Sequence, residues 1–537
     1  MHRFHSILFL GILSIVLISA SACSNSDTSD DLSADVSAAS IEENKTHIMA
    51  GFAQEPILTK SDDLSGYWLA GFSIFRPSKG MHDPLYATAT VLDDGSIKIA
   101  IVSLDAFSWR YQDTLEVRNR IQASYGISHV IVHAVHNHDV PDNNGMWSIL
   151  NPKSKDKFNN ILKDAAVAAV SKAAGNMVSA KMYIGQITGR DTLNLEDPLM
   201  ASTDHIELLE KPNDLGLTDL RPPFILDSGI RFTIFKAVSD GKIIGSIVNW
   251  GNHVETMWRK NQLISADFPG YLRDGLAKKL GCITVYITGC VGAITTPEDE
   301  PEVFYNPQTG KYEVIKITTP VTYKGREYTL EDGFKKPWAQ GEQIADLIVS
   351  ALDSGQAELN PEPKIKLYKE TFDISIENSK FALVYNLGIM DRNGYKDKDG
   401  TLWTSTEMNL LTIGNLWMLT VPGELYAEIA TGGIYVPNDN PSAGDYYNEL
   451  PKDEKTAGNK AAVEIPALRT FMKGDVNMIM NLGNDHLGYL IPKSQWDEKK
   501  PYMLGYEKAP YGEENSIGPN AAGLIHKVAL KLFEQVQ

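Results

Sequence analysis

The chain has 537 residues, 43% of them hydrophobic, with a formal net charge of −18. A length and apolar content of this order bury at least one large core. The acidic balance argues against a nucleic-acid partner and against docking through a broadly basic face.

From the N-terminus, His2 and Arg3 precede an apolar run from Ile7 to Ile18, and Ser19-Ala20-Ser21-Ala22-Cys23 follows. The run is short of the roughly 20 apolar residues needed to cross a bilayer, so it reads as a secretory signal over residues 1–22. The small residues before Cys23 resemble a bacterial lipoprotein cleavage site, which would put the lipid on Cys23. Ser24 after it resembles the outer-membrane rather than the inner-membrane pattern. The expected location is therefore exported and lipid-anchored, facing the periplasm or the cell surface. Residues 23–48, rich in Ser, Asp, Ala, Asn and Glu, read as a tether with too little apolar content to fold.

From residue 49 to 537 no repeat, linker or low-complexity break divides the chain, which reads as one large catalytic domain. Predicted strands are Ile97 to Leu104, Val130 to Val135, Ile243 to Asn249, Ile283 to Ile287, Leu416 to Val421 and Met478 to Leu482. Helical patterns cover Trp109 to Tyr125, Lys157 to Ala174, Pro269 to Leu280, Trp338 to Leu352, Glu424 to Thr431 and Asn520 to Phe533. The alternation predicts a mixed α/β fold whose largely buried sheets are covered by helices. Two long polar insertions, Glu298 to Lys336 and Gly432 to Met472, read as walls of a binding site or as surface hairpins. Cys282 and Cys290 flank a predicted strand that would hold them about 26 Å apart, too far for a disulfide.

Four predicted strands end in short loops that carry potential ligands, the usual placement of a site in an open α/β sheet. The first runs into His136-Asn137-His138, where a period of two puts both imidazoles on one side and His133 on the other, as core. The second ends at His253. The third ends at Pro422-Gly423-Glu424, with the carboxylate expected in the first helical turn, favoured there by the helix dipole. The fourth leads through Asn484-Asp485-His486 to Tyr489. Paired imidazoles at a strand end start a metal site or form a hydrogen-bonded structural pair.

In this order the segments resemble the neutral (alkaline, non-lysosomal) ceramidase family over nearly the whole chain after Met49. The motifs are VHNHDVP at 135–141, NWGNHVETM at 249–257, ISADFPGYL at 264–272, GCVG at 289–292, VPGELYAEIA at 421–430 and NDHLGYL at 484–490. The resemblance implies a zinc ion held by His136, His253, Glu424 and Tyr489, a donor set chemically suited to Zn²⁺. It also exposes departures. The family's Gly-Asp-Val-Ser-Pro-Asn stands here as Gly289-Cys-Val-Gly-Ala-Ile294, so its serine falls on Gly292 and its aspartate on Cys290. No counterpart of the immunoglobulin-like C-terminal domain of ceramidases is expected after the last helical pattern.

The implied function is hydrolysis of an amide or ester in a small or lipid-like substrate by metal-activated water, which needs no serine. The alternative is a metal-containing lipoprotein that binds a lipid or glycan without turning it over. His138 is the candidate for acid–base duty or for holding a carbonyl, or else a further ligand. Asp105 either orients a ligand imidazole or caps the helix that follows. His82 and Asp83 line the site or make a turn, and His486 points into the same pocket. Cys290 is either an activated thiol or a small buried residue. Trp147, Trp250, Trp258 and Trp403 are candidates for apolar contacts with a substrate.

Overall fold

Alternating faces of long apolar strands build two sheets that pack on each other. The computed structural model describes residues 46–187, 229–292, 294, 333–432, 463–496 and 511–536, with strand backbones at 303–306, 311–314, 321–323 and 326–328. The expected signal, Cys23 and most of the expected tether lie outside the described residues. The tether is shorter than read, since the first strand already starts at His47.

The larger, nine-stranded sheet is built on β1 (His47–Leu58), β2 (Leu85–Asp93), β3 (Lys98–Leu104), β4 (His129–Ala134), β5 (Val178–Ile187), β6 (Ile230–Ala237), β7 (Ile243–Trp250) and β8 (Ile283–Thr288), in the order β8-β7-β6-β5-β1-β2-β3-β4. Only β3/β4 and β7/β8 run parallel; the other neighbours are antiparallel. The five-stranded sheet is built on β9 (Ile365–Ile376), β10 (Leu402–Ile413), β11 (Leu416–Thr420) and β12 (Val476–Met480), with β11/β12 parallel.

Strand alternation sorts the side chains into layers. In β4, Val130, Val132 and Ala134 face the helices α1 (Tyr111–Tyr125) and α2 (Pro152–Gly175), while Ile131 faces the space between the sheets. Between the sheets, Ile99, Ile101, Phe235, Ile247 and Val285 meet Leu411, Met418, Met478 and Met480. The helices α3 (Asp267–Leu280) and α4 (Lys335–Asp353) cover the β6–β8 half through Phe268, Leu272, Ile344 and Ile348. The last long helix, α5 (Ala521–Glu534), covers the smaller sheet through Ile525, Ala529 and Leu532. The result is a helix–sheet–sheet–helix stack, the α/β fold with buried sheets that the alternation predicts.

The predicted helices and strands all recur within a few residues, with one exception. Glu424 sits not in a helix but on a two-residue strand, Glu424–Leu425, paired in parallel with Tyr489–Leu490. The helix starts only at Ala427. Inside the first long insertion, strands 303–306/311–314 and 321–323/326–328 form two antiparallel hairpins. Among the described residues no helix is long and apolar enough to cross a membrane.

Candidate metal centre

The parallel pairs of the two large sheets end at one place. Beyond β4 comes His136, beyond β7 His253, beyond β11 Glu424 and beyond β12 His486. Backbone hydrogen bonds lock these ends together, from Asn481 N–H to the Thr288 carbonyl (3.0 Å), Gly289 N–H to that of Trp250 (2.7 Å) and Asn484 N–H to that of Val132 (2.6 Å).

The two histidines of the first loop meet, but not by strand alternation. The strand stops at Ala134, and His136 takes a left-handed backbone conformation (φ 65°). That conformation is uncommon for a residue other than Gly and is held here by the surroundings. His133, still on the strand, turns into the core. It is fully buried, accepts the Thr288 N–H at Nε2 (3.2 Å) and donates from Nδ1 to Ser103 Oγ (3.0 Å).

Four imidazoles and a carboxylate then converge, all nearly inaccessible to solvent. Two overlapping groups could each hold a metal ion: His136, His138 and His253, and His136, Glu424 and His486. Glu424 Oε2 lies 3.2 Å from His136 Nε2 and 3.8 Å from His253 Nε2. His138 Nε2 is 3.4 Å from His136 Nε2. Ligands about 2.0–2.1 Å from one tetrahedral ion stand some 3.3 Å apart, so these spacings match a shared cation.

Hydrogen bonds at the far ring nitrogens decide which atoms are bare. His136 Nδ1–H donates to the Phe107 carbonyl (2.9 Å), and His253 Nδ1–H to those of Ile294 (2.8 Å) and Val291 (3.2 Å). Both Nε2 lone pairs therefore point at Glu424 Oε2, a buried oxygen with no hydrogen-bond partner. Three facing lone pairs repel, and a cation among them removes the repulsion. The residues fit a metal.

The electrostatics agree. Burial pushes the His253 imidazole down to about 4, helped by the neighbouring His136. Burial, with His136, His253 and Arg76, holds His138 well below its usual value, and burial also lowers His486. For Glu424 burial works upward, but the neighbouring His136 and His486 outweigh it and hold the carboxyl well below the usual range. Neutral imidazoles around an ionised carboxylate are the protonation states that bind metal.

His486, expected only to point this way, has a defined place. Its Nε2–H donates to Glu424 Oε1 (2.9 Å), and its Nδ1 accepts from Ser108 Oγ (3.0 Å). Glu255, which sequence reading passed over, stands 3.7 Å from His138 Nδ1; its position two residues after His253 was the available clue. Tyr489 is the register partner of Glu424, so it leaves the same side of their short ribbon, and its ring stands edge-on to Tyr426 (6.3 Å).

Asp105 needs correcting as an imidazole orienter. Both its oxygens accept from the Arg273 guanidinium (2.8 and 2.6 Å), and Oδ2 also accepts the Tyr86 N–H (2.8 Å). Backbone carbonyls orient the ligand rings instead. His82 and Asp83 tie their loop to α3 and α4 instead: Asp83 accepts from Ser265 Oγ (2.7 Å) and the Ala266 N–H (2.6 Å) just before α3, and His82 stacks on Phe334 (3.7 Å) just before α4. Cys282 and Cys290 are buried thiols, with Cys290 packed in the core of the smaller sheet. Trp147 and Trp258 approach the centre through Phe107 and Phe72. Trp250 is core, and Trp403 donates to Asp397 (2.9 Å) on a hairpin.

Gly292 is closed to any side chain. Its N–H donates to the Leu425 carbonyl (3.0 Å), and a Cβ there would lie 2.4 Å from the Glu424 carbonyl oxygen.

No protein-family model matches the chain, and no curated protein does. Among solved structures it is similar to the neutral ceramidase from Pseudomonas aeruginosa, with TM-score 0.60 and 14% identity over 90% of this chain and 74% of that one. A ceramidase complexed with C2 is similar to the same extent, with TM-score 0.60 and 13% identity over 90% and 74%. The fold is ceramidase-like. That likeness spans 90% of this chain.

Proposed function

We propose that this protein is an exported, lipid-anchored, metal-dependent hydrolase of an amide or ester bond, with zinc as the metal and a lipid-like substrate. The observation that carries this reading is the unpartnered, buried Glu424 Oε2 facing the bare Nε2 atoms of His136 and His253. The ceramidase-like fold supports it, because a solved neighbour is a neutral ceramidase.

His136, His253 and Glu424 hold the metal. The fourth donor is Tyr489, as the family resemblance implies, or His138, whose Nε2 lies 3.4 Å from that of His136. A divalent ion there supplies Lewis acidity towards water and a carbonyl group. His138, where it is not a ligand, stands beside His136 to hold the substrate carbonyl or serve as acid and base. Gly292 has no room for the serine of the resembled family, so the chemistry is assigned to metal and histidines alone. The same glycine favours a second reading, a lipoprotein that keeps the metal for structure and only binds its ligand.

The test is elemental analysis of protein purified without added metal, together with turnover on a panel of acyl amides, esters and lactones. Zinc near one equivalent is expected, with metal and turnover both lost in His253→Ala and Glu424→Ala. Turnover that survives removal of the metal defeats the proposal, and zinc without any turnover favours the binding protein.

A further inference from the structure

Six of the large apolar side chains left exposed by the fold lie on three adjoining segments beside the centre, two loops and one short helix. They are Ile74, Phe75, Ile149, Leu150, Leu383 and Leu387; Leu150 is 72% exposed and Leu387 64%. The Phe75 N–H donates to the Trp147 carbonyl (3.4 Å), which joins the first loop to the second. Lys155 Nζ donates to the Ile389 carbonyl (3.4 Å), which joins the second to the third. Scattered apolar residues on a surface need no explanation, but a contiguous apolar rim marks a contact surface.

Apolar matter continues inward from this rim. Phe72 stands 4.9 Å from His138, and Phe107 stands 4.6 Å from both His136 and Trp147. On the other side, the helix Ser379–Asn386 leaves Leu383 exposed while Phe381 and Tyr385 line a small recess whose wall includes His486. Exposed cations flank the first loop: Lys79 follows it, and Arg259 and Lys260 follow Trp258, whose ring meets Phe72 at 4.6 Å. Beside the first loop that local sign is opposite to the chain's net charge of −18, while exposed Asp156 and Asp391 stand by the second and third segments. Apolar tips on separate segments with cations beside them suit shallow insertion into an anionic lipid surface.

We propose that these three segments seat the protein on an anionic phospholipid bilayer, with an apolar ligand passing from the bilayer along the aromatic wall to the histidine centre. The seating itself is independent of the hydrolase reading, because none of the six side chains touches the metal site's donor atoms.

Spin labels on Leu150→Cys and Leu387→Cys test it in the full chain, with Val238→Cys as the control. Val238 follows β6 and precedes β7, at the end of the sheet opposite His253. Cys282 and Cys290 are buried and do not compete for label. On adding vesicles of equimolar phosphatidylcholine and phosphatidylglycerol, the labels at 150 and 387 should gain collisions with oxygen and lose them with a water-soluble nickel chelate. The label at 238 should not change, whatever the N-terminal anchor does. Arg259→Glu with Lys260→Glu should weaken the effect about tenfold or more. Labels at 150 and 387 that behave like the one at 238 overturn the proposal. So does protection that rises with protein concentration and needs no vesicles, which would make the rim a protein–protein face. Metal-free protein should seat unchanged, so loss of turnover and loss of seating report on separate claims.

Discussion

The Nε2–H of His486 donates to Glu424 Oε1 at 2.9 Å, leaving Oε2 bare towards His136 and His253. One oxygen of the carboxylate is thus anchored by protein while the other is free to meet a cation. Partners of this kind orient a metal ligand, and this one also helps to keep the carboxyl ionised. Substituting His486→Ala should lower metal affinity about 10–100-fold without abolishing binding, and His486→Gln should recover part of the loss. Competition against a chelator of known affinity measures it. Unchanged affinity in the alanine variant would separate His486 from the centre.

Glu424→Gln removes the buried charge and keeps the shape. Metal affinity should fall by more than about a hundredfold, and the metal-free variant should be less stable than the metal-free parent, since the neighbours that hold the carboxyl ionised lose that charge. Urea unfolding with and without chelator reads both effects. A metal-free variant at least as stable as its parent would show that the protein does not stabilise the carboxylate.

Gly292→Ser restores the residue type of the resembled family but not its room. With a Cβ only 2.4 Å from the Glu424 carbonyl oxygen, the strand Glu424–Leu425 must shift. Destabilisation of about 1–3 kcal/mol or more is expected, with weaker metal binding and no gain in turnover. A stable, more active Gly292→Ser protein would contradict this packing.

Asp105 and Arg273 form a buried, two-pronged ion pair. Removing one partner strands the other, so Arg273→Met should cost about 3–5 kcal/mol. Because the pair holds α3 against the β3 end rather than a ligand ring, metal content should stay unchanged in whatever protein remains folded. Loss of metal at full stability would return Asp105 to the site.

Burial, with the nearby His136, pushes His133 down to about 3 in the folded protein, against roughly 6.5 when unfolded. The unfolded chain therefore binds the proton more readily. The contribution is intact above about pH 6.5 and is lost progressively towards pH 3 as acid favours unfolding. Metal-free protein should lose about 1.4 kcal/mol of stability per pH unit from this group alone below pH 6.5. Urea midpoints at pH 7 and 5 test it. A midpoint that does not move would mean that His133 is not held neutral.

Much of the fold was legible because apolar runs bounded by Gly, Pro and Asn repeat at α/β spacing, as in Ile283 to Ile287 before Gly289 and Leu416 to Val421 before Pro422. The strands that sequence reading missed are mixed in pattern. β9, with Lys366, Lys369, Glu370 and Asp373 among its apolar residues, is a half-exposed edge strand, recognisable only once β10 lies beside it. Local sequence also determined which residue types stand at the strand ends, because a chain leaving a buried strand needs a polar turn, and that is where His136, His253 and Glu424 fall. Tertiary structure alone decided what they do there. His136 meets its neighbours through a left-handed backbone rather than by alternation, Asp105 is claimed by Arg273 from a helix 168 residues away, and His486 is bound to Glu424 across 62. Hydrogen bonds and ion pairs between distant segments depend on which strands lie side by side, and neither periodicity nor composition carries that information.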